Sequence, residues 1–332
     1  MRTIAIIGGG SWGTALALAA TRSRAQHAVR LWLREKDLAA RMQSSRENDL
    51  FLPGFSLPPQ VEITDELARA AAGADIVLSV IPAQFLRRVW AELRGELTPK
   101  AAVVSATKGL ENETLLRPTE VIRQALGDSR QLAALSGPSF AREVAAGLPT
   151  AVVAAAEDEA LARELQEELS GPSLRLYTNT DVAGVEIGGA VKNVIAIAAG
   201  VSDGLELGTN ARAALITRGL AEMTRLAVAC GGRRETLAGL AGLGDLVLTC
   251  TGALSRNRSV GLELARGRKL EEIVGSMRMI AEGVETTRVT RALGRRLGVE
   301  LPITEQMHRM LFEGIEPRAA ARALMERTLK EE

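Results

Sequence analysis

The chain has 332 residues, more than one hydrophobic core ordinarily supports, so two domains are expected. A hydrophobic content of 46% with 24% charged residues suits a soluble globular protein, and a formal net charge of +1 without a long basic block excludes a broad nucleic-acid footprint. Two cysteines, Cys230 and Cys250, fit neither a disulfide framework nor a zinc cluster and point to a reducing, cytoplasmic setting.

Along the chain, "TIAII" reads as a buried strand, "GGGSWG" as a turn, and the Ala/Leu-rich run to about Ser23 as a helix. The same segment shares the positive start and apolar centre of a secretory signal, but three consecutive glycines break that centre. No uninterrupted run approaches the ~20 apolar residues of a membrane span, so the protein is not expected to be membrane-embedded. "AVRLWL" is a second strand, and "FLPGFSLPP" is a loop marked by proline and glycine. Short apolar runs follow at "DIVLSV", "AAVVSA", "QLAAL" and "TAVVAAA", separated by helical patterns such as "QFLRRVWAEL" and "EALARELQEEL". A last strand, "LRLYTNT", precedes a change of character near position 183. Beyond it, apolar residues recur at three- and four-residue steps in "RAALITRGLAEMTRLAVA", "ETTRVTRALGRRLG" and "PRAAARALMERTL". The pattern predicts an α/β class: a Rossmann-like, doubly wound, mostly parallel sheet over 1–182, then an all-α domain over 183–332.

Gly8-x-Gly10-x-x-Gly13 follows the first strand directly and opens a helix. In that setting the first glycine permits a tight turn, the second lets backbone approach a pyrophosphate, and the third allows close helix–strand packing. Ser11 and Trp12 lie in the turn and are expected to line the cofactor. Cofactor choice is read after the second strand, where "LREKD" places Arg34 and then Glu35. Arginine suits a 2′-phosphate and an acid suits a ribose diol; Arg34 comes first, so NADP(H) is favoured with NAD(H) tolerated.

Residue inventory narrows the chemistry. His27 and His308 are the two histidines, and neither has an acid–base partner in view. Tyr177 has Asp181 four positions on, not a lysine, so a Tyr–Lys alcohol-oxidising pair is absent, and zinc assistance lacks its cysteines. Only six of 41 basic residues are lysines, and the remaining general-base candidate is one of them. Lys192 stands in "EIGGAVKNVIAIAAG", read as the start of a helix behind Gly188 and Gly189. There it is either a stem lying on apolar surface with its head in water, or a base directed into the crevice outside the sheet's carboxyl ends. "GLGDLVLTC" sets Asp245 beside glycines, and Ser255, Arg256 and Asn257 open a helical pattern that is either a cap or a phosphate site. Lys108 in "SATKGLE" and Ser139 in "LSGPSF" both follow strand ends.

"GAVKNVIAIAAGVSDGLELGTN", Gly189 to Asn210, resembles the signature of the bacterial-type NAD(P)-dependent sn-glycerol-3-phosphate dehydrogenases. "GGGSWGTALA", "FLPG", "SATKGLE", "LSGPSFAREVAAGLPTA", "GLGDLVLTC" and "SRNRSVG" resemble that family in the same order, over nearly the whole chain. The resemblance implies reversible hydride transfer between NAD(P)H and dihydroxyacetone phosphate, yielding sn-glycerol 3-phosphate for glycerophospholipid synthesis. It implies that Lys192 exchanges the proton of the substrate's 2-hydroxyl. It implies substrate contacts for Lys108, Gly137, Ser139, Asp245, Ser255, Arg256 and Asn257, with Lys108 and Arg256 also near the cofactor. Ser11, Trp12, Arg34, Ala141 and Glu282 would bind NADP(H), beside the glycines at 8, 10 and 13. After the second strand, "LRE" stands where a second basic or polar residue is common in the family.

Two rivals remain. β-Hydroxyacid and 6-phosphogluconate-type dehydrogenases also place a lysine after glycines, commonly with a polar residue four positions on; here that position is Ala196 and Asn193 follows directly. A dinucleotide sensor would leave Lys192 without chemistry. Apolar residues on the late helices suit a homodimer.

Overall fold

The computed structural model describes residues 1–128, 130–277 and 281–328. Eight strands, β1 (Arg2–Ile7), β2 (His27–Trp32), β3 (Val61–Thr64), β4 (Ile76–Ser79), β5 (Ala102–Ser105), β6 (Leu132–Ser136), β7 (Thr150–Ala156) and β8 (Leu174–Asn179), form one sheet. Its order is 3-2-1-4-5-6-7-8. All pairs are parallel except β6 with β7. The central strands read as unbroken apolar runs because both faces are covered by helices. Ile4, Ile6, Val29, Leu31 and Leu78 belong to one core cluster, Ala5, Ile7, Val77 and Val103 to another, as alternation along a strand requires.

The helices of this sheet region are α1 (Ser11–Thr21), α2 (Lys36–Ser45), α3 (Leu67–Ala71), α4 (Ala83–Glu92), α5 (Pro118–Leu126), α6 (Ala141–Ala145) and α7 (Glu159–Leu169). Then come α8 (Val182–Gly204), α9 (Gly208–Ala229) and α10 (Arg234–Ala238), a π-helical turn at Leu240–Gly244, and α11 (Asp245–Thr251). The chain ends with α12 (Arg256–Ala265), α13 (Leu270–Ser276), α14 (Glu282–Leu297), α15 (Pro302–Phe312) and α16 (Pro317–Met325). The α/β sheet followed by helices is the expected fold class. β3 was not anticipated: "VEIT" is four residues long, and only one residue, Gln60, separates it from the prolines of the preceding loop.

The chain forms two compact units, one of residues 1–108 and 116–186, the other of residues 109–115 and 187–332. In the second, α8 supplies the centre: Val191, Val194, Ile195, Ile197 and Ala199 are fully buried in its core. The helix has the length and hydropathy of a membrane span, yet 94% of its apolar window is buried inside the protein.

That burial corrects one sequence expectation. Lys192 is not at a helix start; Gly188 and Gly189 lie inside α8, and Lys192 follows them in its third turn. The sequence "IGG" imitates a turn, but Gly188 serves close packing. A Cβ there would sit 2.7 Å from the Ala241 carbonyl oxygen.

Candidate active site

The dinucleotide turn joins β1 to α1, and its glycines divide the labour as the spacing requires. Gly8 has φ +123°, and a Cβ on it would lie 2.4 Å from the Val80 carbonyl oxygen. A Cβ on Gly13 would lie 1.8 Å from the Gly8 carbonyl oxygen, so helix and turn can approach only without one. At Gly10 nothing lies within 4 Å of that position, leaving the flank open. Gly10 caps α1 without any side-chain hydrogen bond, and no acidic residue stands in the first turn. Unclaimed N–H groups at a helix N-terminus form a ready anion cradle. Trp12 follows Ser11 at the head of α1; its indole Nε1 is buried with no partner among the described residues, an uncommon state for that donor. An open flank, free N–H groups and an orphaned donor fit a dinucleotide.

Arg34 follows β2 as expected. Its guanidinium is exposed, pairs with Glu35 at 2.9 Å and lies 5.5 Å over the Phe85 ring. In the same unit, β5 delivers Lys108 and β6 delivers Gly137 and Ser139. Lys108 Nζ donates to the Gly137 carbonyl oxygen at 2.9 Å and to Ser139 Oγ at 3.2 Å, while Ser139 Oγ donates to the same carbonyl at 2.8 Å. Gly137 holds φ +136° with a Cβ position 3.0 Å from Val152 Cα. Ala141 is the first residue of α6, which packs on α1.

In the second unit, Lys192 is 6% exposed and therefore not a stem with its head in water. Its Nζ donates to Asp245 Oδ1 and to Thr249 Oγ1, both at 2.8 Å. Asp245 is 1% exposed and compensates the buried charge. Thr249 Oγ1 lies 2.6 Å from the Asp245 carbonyl oxygen, to which it gives its single hydrogen, leaving a lone pair for Lys192. Asp245 and Thr249 stand one turn apart on α11, so one helix face presents these two groups to the amine. Thr249 escaped the sequence reading; the available signal was the Asp-x-x-x-Thr spacing in "DLVLT".

Asn193, next along α8, accepts from Asn257 Nδ2 at 2.9 Å, and Asn257 Oδ1 accepts from Gly283 N at 3.0 Å. Asn257 thereby ties α12 to α8 and to the start of α14, where Glu282 is the first residue. Ser255 is the N-cap of α12, its hydroxyl accepting from Arg258 N at 3.2 Å, and Arg256 is exposed at the first helical position. A second buried carboxylate among the described residues of this unit, Glu222, differs in kind. Glu222 accepts from the backbone of Ile303 and Thr304 at 2.8 and 2.9 Å, capping α15. Burial pushes its carboxyl up from the usual range, against the pull of those donors.

The histidines lie elsewhere: His27 Nε2 is 2.8 Å from the Glu168 carbonyl oxygen, and His308 sits beside Glu313 and 5.0 Å from the Phe312 ring.

Two family descriptions match the chain: "NAD-dependent glycerol-3-phosphate dehydrogenase N-terminus" over residues 3–162 and the corresponding C-terminus over residues 181–322. The chain belongs to the NAD-dependent glycerol-3-phosphate dehydrogenase family. It is 57% identical to a glycerol-3-phosphate dehydrogenase (NAD(P)+) of Koribacter versatilis over 330 residues, covering 98% of each chain. A relative of the same name from Syntrophotalea carbinolica is 55% identical over 331 residues, covering 99% of each. The crystal structure of glycerol-3-phosphate dehydrogenase from Coxiella burnetii superposes with a TM-score of 0.93 at 44% identity, covering 98% of this chain and 99% of that one. Membership in this family decides against the β-hydroxyacid and 6-phosphogluconate-type alternative.

Proposed function

We infer that this chain is a glycerol-3-phosphate dehydrogenase using NAD(P), interconverting dihydroxyacetone phosphate and sn-glycerol 3-phosphate and supplying glycerophospholipid synthesis. The observation that carries the chemistry is a buried lysine held by one carboxylate and one hydroxyl. The nicotinamide, when bound, supplies or accepts the hydride. In the reducing direction protonated Lys192 stabilises the negative charge growing on the substrate's C2 oxygen and delivers the proton; in the other direction it takes the proton back. Asp245 and Thr249 fix the amine in place, so it need not reorganise as charge develops.

Residues 1–182 are assigned to dinucleotide binding and residues 183–332 to the substrate. Gly8, Gly10, Ser11, Trp12 and Gly13 hold the diphosphate end of the cofactor, with Arg34, Lys108, Ala141, Arg256 and Glu282 completing its site. Lys108, Gly137, Ser139, Asp245, Ser255, Arg256 and Asn257 bind substrate with Lys192, Arg256 serving the phosphate.

Arg34 gives NADP(H) a modest advantage, moderated because Glu35 competes for the same guanidinium. Arg34→Ala should raise KM for NADPH more than for NADH; an equal rise would remove Arg34 from cofactor choice. Two copies pair through the second unit. A groove of about 1600 Å³ there is lined by Leu207, Leu215, Leu220, Val228 and Met325, an apolar face of the kind monomers seldom leave bare. A sedimentation mass of one chain would refute the dimer.

The deciding assay mixes the protein with NADPH and dihydroxyacetone phosphate and follows the absorbance of the reduced nicotinamide. Oxidation is expected. Oxidation with a β-keto acid instead would move the protein to the β-hydroxyacid class, and binding without turnover would make it a sensor.

A further inference from the structure

Asn48 is fully buried, which is uncommon for an amide side chain and requires that its polar atoms be matched. Its Nδ2 donates one hydrogen to the Gly9 carbonyl oxygen and the other to Thr14 Oγ1, both at 2.8 Å. Its Oδ1 accepts from Phe51 N at 3.0 Å. Gly9 lies in the dinucleotide turn, and Thr14 is in the first turn of α1. The side chain thus joins a distant loop to the segment assigned above to the diphosphate.

The loop that carries Asn48 is anchored independently of it. Leu57 N donates to the Arg46 carbonyl oxygen at 2.7 Å, closing the segment 46–57. Arg46 Nη2 donates to the carbonyl oxygens of Pro58 and Val61 at 2.6 and 2.7 Å, and Leu52 and Leu57 are buried in the core of the sheet unit. A firmly seated loop therefore presents one amide to the turn.

We propose that Asn48 is a positioning residue for cofactor binding: by holding the Gly9 carbonyl it aims the Gly10 N–H at the diphosphate. The reason is the planar trans peptide, in which C=O and the following N–H point in opposite directions. With the carbonyl bound inward by Asn48, the Gly10 N–H is turned away from Asn48, and the Gly10 flank is open. Glycine neighbours otherwise leave this peptide free to rotate, and an ordered donor binds an anion better than one that must first be ordered. The inference rests on the dinucleotide reading given above.

The test is calorimetric titration with NADPH, with melting temperature and KM for dihydroxyacetone phosphate at saturating NADPH as companions. Wild type should bind; a wild type that does not bind NADPH would overturn the dinucleotide reading itself. Asn48→Ala should bind NADPH ~10-fold more weakly, because the buried Gly9 carbonyl keeps only the longer bond from Thr14 Oγ1, at 3.4 Å, and the turn loses its brace. Its KM for dihydroxyacetone phosphate should stay within about twofold, a split that general loosening of the fold would not produce. A folded Asn48→Ala with wild-type NADPH affinity overturns the proposal, even if its melting temperature falls. Should that variant not fold, Thr14→Val removes one of the two Asn48 acceptors, together with the hydroxyl's own 3.4 Å bond to the Gly9 carbonyl, with little change of shape. A loss of ~3-fold in NADPH affinity is then expected, and none would overturn the proposal.

Discussion

The dinucleotide turn at 8–13 and the Lys192 cluster hold their chemistry by different means. The turn works through backbone: three glycines shape it, and its donors are main-chain N–H groups that no side chain caps. The lysine cluster works through side chains that meet across 53 and 57 residues of chain, from α8 and α11. A backbone device tolerates no added atom where chains touch, and it is encoded in six consecutive residues. A side-chain device depends on how helices pack, and each of its members is individually ordinary. Substitutions should therefore act on binding and folding in the first region, and on turnover in the second.

The largest expected effect is at Lys192. Lys192→Ala removes the proposed proton donor and leaves Asp245 as a buried carboxylate without its ammonium. Turnover should fall by ~10²-fold or more, the usual weight of a positioned general acid, while NADPH affinity stays near wild type. Steady-state kinetics with calorimetry checks both halves. If kcat survives and NADPH binding is lost, the division between the two regions is wrong.

The glycines sharpen the comparison within one motif. Gly13→Ala would place its methyl 1.8 Å from the Gly8 carbonyl oxygen, and the turn must deform. An overpacking penalty of ~1–3 kcal/mol should appear as a melting temperature lower by ~2–12 °C, with NADPH binding impaired. Gly10→Ala meets nothing within 4 Å, so the fold should keep its melting temperature. At the proposed cofactor site the methyl would instead obstruct the diphosphate, and NADPH affinity should fall ~10-fold, equivalent to ~1.4 kcal/mol. Equal melting curves for both variants would deny the close approach at Gly13.

How much of this was legible follows from the same contrast. The turn was readable because spacing, flanking strand and helix all lie within 20 residues, and local rules suffice. Lys192 was readable as a candidate through residue inventory, since histidine, tyrosine and zinc chemistries lacked their parts. Its placement was misread, because Gly188 and Gly189 resemble a turn in sequence whereas in the fold Gly188 admits the Ala241 backbone. Thr249 and Asn48 were not read at all. The glycines before Asp245 conceal the helix that puts Thr249 one turn away, and nothing local in "ENDLFLPG" announces a bond to Gly9. Ser255 left two readings open; its hydroxyl accepts from Arg258 N at the start of α12, a bond compatible with the substrate contact proposed above.

Thr249 offers the next smaller test. Thr249→Val keeps the shape and removes the hydroxyl that accepts from Lys192, leaving Asp245 as the anchor. A hydrogen bond to a charged group contributes ~1.5–3 kcal/mol, of which a fraction is felt in the barrier, so kcat should fall ~10-fold with KM for NADPH unchanged. An unchanged kcat would show that the carboxylate alone positions the amine.

The smallest effect concerns Cys250, beside Thr249 on α11 and fully buried. Burial pushes its thiol up to about 12; among the nearby charges, Lys192 pulls it down while Asp203 and Asp245 push it up. The thiolate is the reactive form, and a raised value keeps the proton on sulfur throughout pH 7–9. A thiol whose folded value lies above its ordinary one gains a proton preference on folding, so its contribution to stability is complete below the ordinary value near pH 9 and is lost as pH rises toward 12. Iodoacetamide at pH 8 should therefore leave Cys250 unmodified and turnover within about twofold, as peptide mapping and kinetics would show. Rapid modification of Cys250 with loss of activity would mean that the side-chain cluster opens to solvent, and the contrast with the backbone donors of the turn would weaken accordingly.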